Sequence, residues 1–154
     1  MSDVIFTPAD QLTAPARPTR YTPEAAAVII RHAEADFPNE CCGFLYGKID
    51  GERLISLAVP ARNAQEGDQR KRFLIDPLDY MKAEDYAWEN GLDFIGIYHS
   101  HPNHPAEPSI HDLRQAMPEF SYLIVSVWDG KLDHARSWTL NEGGSFDEEQ
   151  LSFS

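Results

Sequence analysis

Two histidines separated by a single residue, His99 and His101, are the side chains of this sequence best suited to holding a metal ion. They follow an apolar run at 94–98, which predicts a β-strand. Residues i and i+2 of an extended chain point to the same side, so the two imidazoles can converge on one point. Because neutral imidazole is a common zinc ligand, the spacing indicates half of a metal site.

Asp112 is the candidate for a third ligand with an oxygen donor. The preceding loop, 102–108, contains three prolines that stiffen it and can fold it back over the histidines. Two histidines and one carboxylate would leave the fourth position of a tetrahedral zinc open to water, as catalytic sites require. The residue types alone leave alternatives open. Many His-x-His pairs are ordinary surface or core residues, and Ser109 with Asp112 also fits a helix capping box that needs no metal.

Alternating helical and strand patterns place these residues on an α/β (α+β) fold in which helices cover a sheet. Helices are predicted after the capping residues Thr22, Asp76 and Ser109, and Pro38, Gly91 and about Met117 mark their ends. Apolar runs between turn signals predict strands at 41–47, 53–59, 73–75, 94–98, 122–128 and 135–140.

The His-Ser-His-Pro segment at 99–102, followed by Ser109 and Asp112, resembles the signature of the JAMM (JAB/MPN metalloprotease) family. Ten residues, 102–111, separate the second histidine from the aspartate, as in that signature. Upstream, the stretch 38–43 is similar to the family's P-x-E-x-C-G segment and contains Glu40. Asn63 and the stretch 73–77 resemble a further family segment, and the likeness extends over about 21–138.

The resemblance implies a role for each matched residue. His99, His101 and Asp112 are the implied zinc ligands, Glu40 the general base and Ser109 the donor to the oxyanion. One zinc ion per chain is expected, because no additional Cys/His cluster suggests a second. The implied architecture is a single-domain MPN/JAMM fold, a mixed β-sheet flanked by helices and similar to cytidine deaminases. It would occupy 21–140, between an N-terminal arm at 1–20 and an acidic C-terminal tail at 141–154.

The resemblance also implies an activity. By this resemblance, compact family members without added domains are bacterial or archaeal, and the chain most resembles the bacterial type that frees cysteine or another small adduct from the tail of a sulfur-carrier protein. We therefore expect a zinc metallopeptidase that cleaves an amide bond at the C-terminal Gly-Gly tail of a ubiquitin-like or sulfur-carrier protein. The alternatives are a non-catalytic MPN interaction module, a small-peptide metallohydrolase and a cysteine-dependent hydrolase that uses Cys41 or Cys42. In that apolar run the two cysteines are expected to be simple core residues.

Composition narrows the range of partners. The 154 residues carry a formal charge of −12, and a surface so negative disfavours nucleic acid. No long apolar run or signal-peptide pattern is present, so a cytoplasmic protein without a membrane segment is expected. The adjacent cysteines, which are poorly placed for a mutual disulfide, suit a reducing compartment.

The basic cluster at 70–72 is expected to be solvated, and the oligomeric state is left open. The remaining histidines are expected to be exposed: His32, His104, His111 and His134.

Overall fold

The computed structural model describes residues 18–153, which form one eight-stranded sheet and three helices. The strands are β1 (Thr19–Tyr21), β2 (Cys42–Asp50), β3 (Glu52–Ala61), β4 (Asp93–Pro102), β5 (Ser121–Trp128), β6 (Lys131–Leu140), β7 (Phe146–Glu149) and β8 (Leu151–Ser152). Their order is β7-β6-β5-β4-β2-β3-β1-β8. The β4–β5, β1–β3 and β1–β8 pairs are parallel and the others antiparallel, which confirms the predicted mixed sheet.

The helices are α1 (Pro23–Asp36), α2 (Pro77–Glu89) and α3 (Ile110–Gln115). Each begins after the capping residue that the sequence predicts. The side chains of Thr22, Asp76 and Ser109 accept hydrogen bonds from backbone amides of the first helical turn. Within 18–153, no helix is long and apolar enough to cross a membrane.

Helices α1 and α2 cover opposite faces of the sheet. Leu45 of β2 packs with Ile29 of α1, whereas its neighbours Phe44 and Tyr46 pack with Ala83 of α2. This division follows from the alternation of side chains along a strand. The sheet is therefore buried on both faces, as the predicted arrangement of helices around a sheet requires.

The C-terminal segment closes the sheet. Strands β7 and β8 lie at opposite ends of the strand order, yet Gln150 alone separates them in the chain. Since the two Cα–Cα steps from Glu149 to Leu151 span at most about 7 Å, the end of β7 and the start of β8 lie close together. Thr19 N donates to Gln150 O at 2.9 Å across this junction. The neighbouring Glu149 is buried and accepts hydrogen bonds from the hydroxyls of Ser121 and Ser137.

The folded unit extends beyond the predicted boundaries of 21 and 140. Thr19 is fully buried in β1, and residues 146–152 of the predicted tail form β7 and β8. The acidic composition of this tail hid its strands, because the strand-forming residues Phe146 and Leu151 are interspersed with charges. Residues 1–17 of the predicted arm lie outside the described part of the chain.

The predicted strand at 73–75 is wrong, because this stretch joins no strand ladder. The backbone of Ala64 donates to Leu74 O at 2.8 Å, and the side chain of Asn63 makes two further bonds. Its Oδ1 accepts from Leu74 N at 3.1 Å, and its Nδ2 donates to Arg72 O at 3.2 Å. Phe73 and Ile75 are nevertheless buried. The apolar pattern thus correctly indicated burial, while one backbone bond and the Asn63 amide hold the stretch without a strand ladder.

Gly96 of β4 pairs with Ser121 of β5, and a substitution at Gly96 tests how closely the two strands approach each other. An alanine Cβ at Gly96 would lie 1.9 Å from the Ser121 backbone oxygen. We expect Gly96→Ala to lower the free energy of unfolding by about 1–3 kcal/mol or more, and calorimetry measures this as a lower Tm. Gly143→Ala is the control, since its Cβ would meet only the Asn141 side chain, at 3.3 Å. Equal Tm values for the two variants would contradict the described register.

Candidate metal centre

Strand β4 carries both histidines near its end. His99 pairs with Cys42 of β2 and with Ile124 of β5, and His101 pairs with Ser126 of β5. The sequence placed the histidines at the exit of a strand, whereas the structure includes both of them in β4. Backbone pairing on both sides of His99 fixes the direction of its side chain.

The imidazoles of His99 and His101 converge on the carboxylate of Asp112. The two Nε2 atoms lie 3.3 Å apart, and each lies 3.2 Å from one Asp112 oxygen. Ligands of a tetrahedral zinc at about 2.0–2.1 Å would be separated by about 3.3 Å from each other. The structure therefore brings together the three residues that the sequence selected, at separations that suit a zinc ion.

Helix α3 supplies Asp112 through its capping box. Ser109 N donates to Asp112 Oδ2 at 2.8 Å, and Asp112 N donates to Ser109 Oγ at 3.1 Å. The same Oδ2 atom contacts His101 Nε2. The capping box, which the sequence offered as an alternative to a metal site, thus holds the Asp112 carboxylate against the histidines. Cap and metal site are compatible in this geometry.

The protonation states favour metal binding. Burial lowers the pKa of His99, which favours the neutral imidazole that a metal ligand requires. Burial raises the pKa of Asp112, but the two histidines and the Ser109 amide outweigh it and hold this pKa well below its ordinary range. His101 Nδ1 lies 2.8 Å from the Pro105 carbonyl oxygen. Since only a protonated nitrogen can donate to a carbonyl, the lone pair of His101 is on Nε2.

Glu40 presents a second carboxylate to the centre. Its side chain is buried, and Oε1 has no hydrogen-bond partner among residues 18–153. Ligand atoms of Glu40, His99 and His101 all lie within 4.8 Å of one another. Burial, and then the charge of Asp112, raises the pKa of Glu40 to about 9. A buried carboxyl oxygen without a partner is costly, so a cation or a polar group in this space fits the residues present.

Asn63, which the sequence marked only as part of a resembling family segment, holds the segment that carries Glu40. Its Nδ2 donates to Glu40 O at 3.1 Å as well as to Arg72 O. Its Oδ1 accepts from Gln65 N and Leu74 N. Asn63 therefore connects the backbone of Glu40 to the loop that carries Phe73, whose ring stacks on His99 at 4.4 Å between centroids.

A cavity of about 410 Å³ opens beside the centre and gives it access to solvent. Glu40, His101 and Ser109 line the cavity together with Arg70 and Lys71. The basic cluster that the sequence placed in a solvated loop thus also borders the candidate site. Its positive charge contrasts with the formal charge of −12 for the whole chain.

The remaining histidines differ in exposure, which corrects the prediction that all are exposed. His104 is exposed, whereas His32, His111 and His134 are half-buried. His32 Nδ1 lies 2.7 Å from the Tyr98 hydroxyl on the α1 face of the sheet. Helical periodicity placed His32 on a polar face but could not show the tyrosine beneath it.

Comparison with known proteins identifies the family. The model of the prokaryotic homologs of the JAB domain matches residues 22–141. The desampylase of Haloferax volcanii is 34% identical over 124 residues, which cover 77% of this chain and 86% of that protein. The chain therefore belongs to the prokaryotic JAB family, which confirms the predicted family and fold class.

Two further relatives and two solved structures are also similar to this chain. The probable TtuB-protein conjugate cleaving protease of Thermus thermophilus is 33% identical, with 78% of this chain and 72% of that protein covered. The CysO-cysteine peptidase of Mycobacterium tuberculosis is 30% identical, with 78% and 81% covered. A Desulfitobacterium hafniense protein superposes with a TM-score of 0.77 at 31% identity, with 88% and 92% covered. A JAB1/MPN domain protein of Archaeoglobus fulgidus, at 17% identity, shares the fold with a TM-score of 0.54 and coverage of 86% and 97%.

Cys41 and Cys42 lack the features of nucleophiles. Both are free and buried. Burial raises the pKa of Cys41 to about 12 and raises that of Cys42 further. A thiol with a pKa so far above its ordinary range is almost entirely protonated near neutral pH, so Cys41 offers little thiolate. Neither thiol therefore supports the cysteine-dependent alternative.

Iodoacetamide labelling tests this conclusion. We expect both thiols of the native protein to react far more slowly than in denaturant, because the reagent requires an accessible thiolate. Mass spectrometry counts the modified cysteines over time. Fully denatured protein is the control, in which both residues should be modified. Rapid labelling of the folded protein would refute the inert, buried state of Cys41 and Cys42.

Proposed function

We propose that this chain is a zinc metallopeptidase that cleaves an amide bond at the C-terminal Gly-Gly tail of a ubiquitin-like or sulfur-carrier protein. The observation that carries the proposal is the convergence of His99, His101 and Asp112 beside the unpartnered Glu40 carboxyl. Relatives named for cleaving protein conjugates or a carrier–cysteine bond support the substrate class. A reducing, cytoplasmic location is part of the proposal and suits the two free cysteines.

His99, His101 and Asp112 would hold one zinc ion per chain. Two imidazole nitrogens and a carboxylate oxygen are a common protein ligand set of a catalytic zinc. The group of metal-binding side chains found within 18–153, which comprises Glu40, His99 and His101, belongs to this same centre. When bound, zinc supplies a Lewis acid for the scissile carbonyl and lowers the pKa of water.

Glu40 would move the proton during the reaction. The attacking water forms the new C–O bond while Glu40 takes its proton, and the same proton then passes to the departing amine nitrogen as the C–N bond breaks. The position of Glu40 in the wall of the cavity, beside His99 and His101, suits both steps. Burial and the charge of Asp112 raise the pKa of Glu40, and a cation at the histidines would oppose this rise, so that the carboxylate can take the proton and hold it until the amine departs.

Ser109 would stabilise the negative charge on the former carbonyl oxygen. One lone pair of its hydroxyl accepts the Asp112 amide proton, so the hydroxyl proton remains available for a second partner. Ser109 also lines the cavity. A donor that the helix cap already holds in place loses little freedom in the transition state, which is what oxyanion stabilisation requires.

The size of the cavity suits a flexible tail better than a folded chain. The 410 Å³ cavity has room for a few extended residues but not for a protein domain. Glycine allows the closest approach of backbone to the reacting centre, because it has no Cβ. The folded part of the carrier would remain outside, where Arg70 and Lys71 offer local positive charge on an acidic protein.

The two carboxylates of the site have separable effects. Asp112→Ala should lose most of the zinc, because it removes a ligand. Glu40→Gln should retain zinc yet lose about 10²–10⁴-fold in kcat, because an amide cannot accept the proton. Elemental analysis and a cleavage assay measure the two effects, and Glu107→Gln, an exposed carboxylate in the neighbouring loop, is the control. Full zinc occupancy in Asp112→Ala, or near-normal turnover in Glu40→Gln, would remove that residue from its proposed role.

The tail requirement can be measured on a single carrier. Replacing both terminal glycines with valine should lower kcat/KM by at least about tenfold, because the branched side chains add bulk beside the metal ligands. The control carries valine at an exposed position of the folded body. Equal rates on the glycine and valine tails would contradict cleavage at the Gly-Gly tail of a carrier protein and would favour a small-peptide hydrolase.

A further inference from the structure

We propose that His134 of β6 is a positioning residue for the metal ligand His101 and acts through the peptide bond between Pro105 and Ala106. The inference rests on the zinc centre proposed above. His134 lies outside every motif that the sequence analysis used, and its side chain does not line the cavity beside the centre. Its connection to the centre is the peptide unit that it shares with His101.

The two polar groups of one peptide unit are held by two histidines. The Pro105 carbonyl oxygen lies 2.8 Å from His101 Nδ1. The amide nitrogen of the same unit, Ala106 N, donates to His134 Nε2 at 3.1 Å. The orientation of this one peptide plane is therefore set from both sides, and it determines where the acceptor for His101 lies.

The neighbouring aspartate fixes the tautomer of His134. Asp133 Oδ2 lies 2.6 Å from His134 Nδ1 and accepts its proton, which leaves the lone pair on Nε2 for Ala106 N–H. A continuous chain of hydrogen bonds then runs from Asp133 through His134 and the peptide unit to His101. Each bond in such a chain polarises the next, so the Pro105 oxygen becomes a stronger acceptor for His101.

Other contacts hold the same loop without acting on this peptide unit. Trp138 Nε1 donates to Ala106 O at 3.1 Å, and Ser126 Oγ donates to His104 O at 2.6 Å. Each of these carbonyls belongs to a different peptide unit. Loop anchoring in general is thus shared among several residues, whereas the orientation of the acceptor for His101 depends on His134.

A metal ligand whose second nitrogen is held by a fixed acceptor binds more tightly. The acceptor orients the ring and makes the ligating nitrogen more basic, and loss of such outer partners usually costs about 10- to 100-fold in metal affinity. His134 acts one peptide unit farther away than such a partner. We therefore expect an effect near the lower end of that range, about tenfold.

A pair of substitutions separates the two nitrogens of His134. In His134→Gln the side-chain amide reaches the position of Nε2 and can accept from Ala106 N–H. In His134→Asn the shorter side chain reaches only the position of Nδ1. Both residues are polar and suit a half-exposed site in β6, and the thermal unfolding of the metal-free variants checks that they fold. Trp138→Phe removes the other hydrogen bond to Ala106 and is the control for loop anchoring.

Zinc dissociation constants, measured by competition with a chromophoric chelator, give the result without an activity assay. We expect His134→Asn to bind zinc about tenfold more weakly than the original chain, and His134→Gln and Trp138→Phe to stay within about threefold. The visible absorption of the Co²⁺-loaded protein should shift in His134→Asn alone, because the ring of His101 changes orientation.

Equal affinities for the asparagine and glutamine variants would overturn the proposal. So would equal weakening in His134→Asn and Trp138→Phe, which would reduce His134 to one loop anchor among several. If the wild-type protein binds no zinc, the proposed metal centre is overturned together with this inference. Zinc binding by the original chain, unchanged in every variant, would refute only the role of His134.

Discussion

Two carboxyl groups, Glu40 and Asp112, are buried beside a pair of imidazoles in the interior of this protein. Removing a charge from water costs several kcal/mol unless an opposite charge or hydrogen bonds compensate it. The histidines and the Ser109 amide compensate Asp112, whereas Glu40 Oε1 has no partner among residues 18–153. A divalent cation at the histidines would favour the ionised form of both carboxyls, so the stability of this region and its chemistry depend on the same interaction.

The rest of the fold holds these groups at short range. His99 and His101 extend from a central strand with paired neighbours, and Asp112 is fixed by the cap of its helix. The segment that carries Glu40 is held through Asn63. Reactive side chains on rigid elements need little reorganisation during a reaction, which is the physical basis of electrostatic catalysis. The open side of the centre is left to a cavity and to loops, where a substrate can enter.

Local signals in the sequence predicted the helices, most strands and the convergence of His99 and His101, because capping, alternation and His-x-His spacing act over a few residues. Glu40 was indicated only by the family resemblance, since a single glutamate carries no local signal of its own. Features that depend on long-range contacts were not predicted from the sequence. The strand pattern of 146–152 is masked by charge, and its pairing with both edges of the sheet depends on closure of the whole sheet. The contacts of Asn63 and His134 escaped for the same reason, since each joins segments that come together only in the folded chain.

The centre itself can be tested by X-ray absorption spectroscopy at the zinc edge of the purified, metal-loaded protein, which reports the type and distance of the ligand atoms. With His99, His101 and Asp112 as ligands, the first shell should contain only nitrogen and oxygen at about 2.0–2.1 Å, with the multiple-scattering pattern of two imidazoles. Sulfur at about 2.3 Å would instead place Cys41 or Cys42 on the metal, and a shell without imidazole would contradict the centre described here.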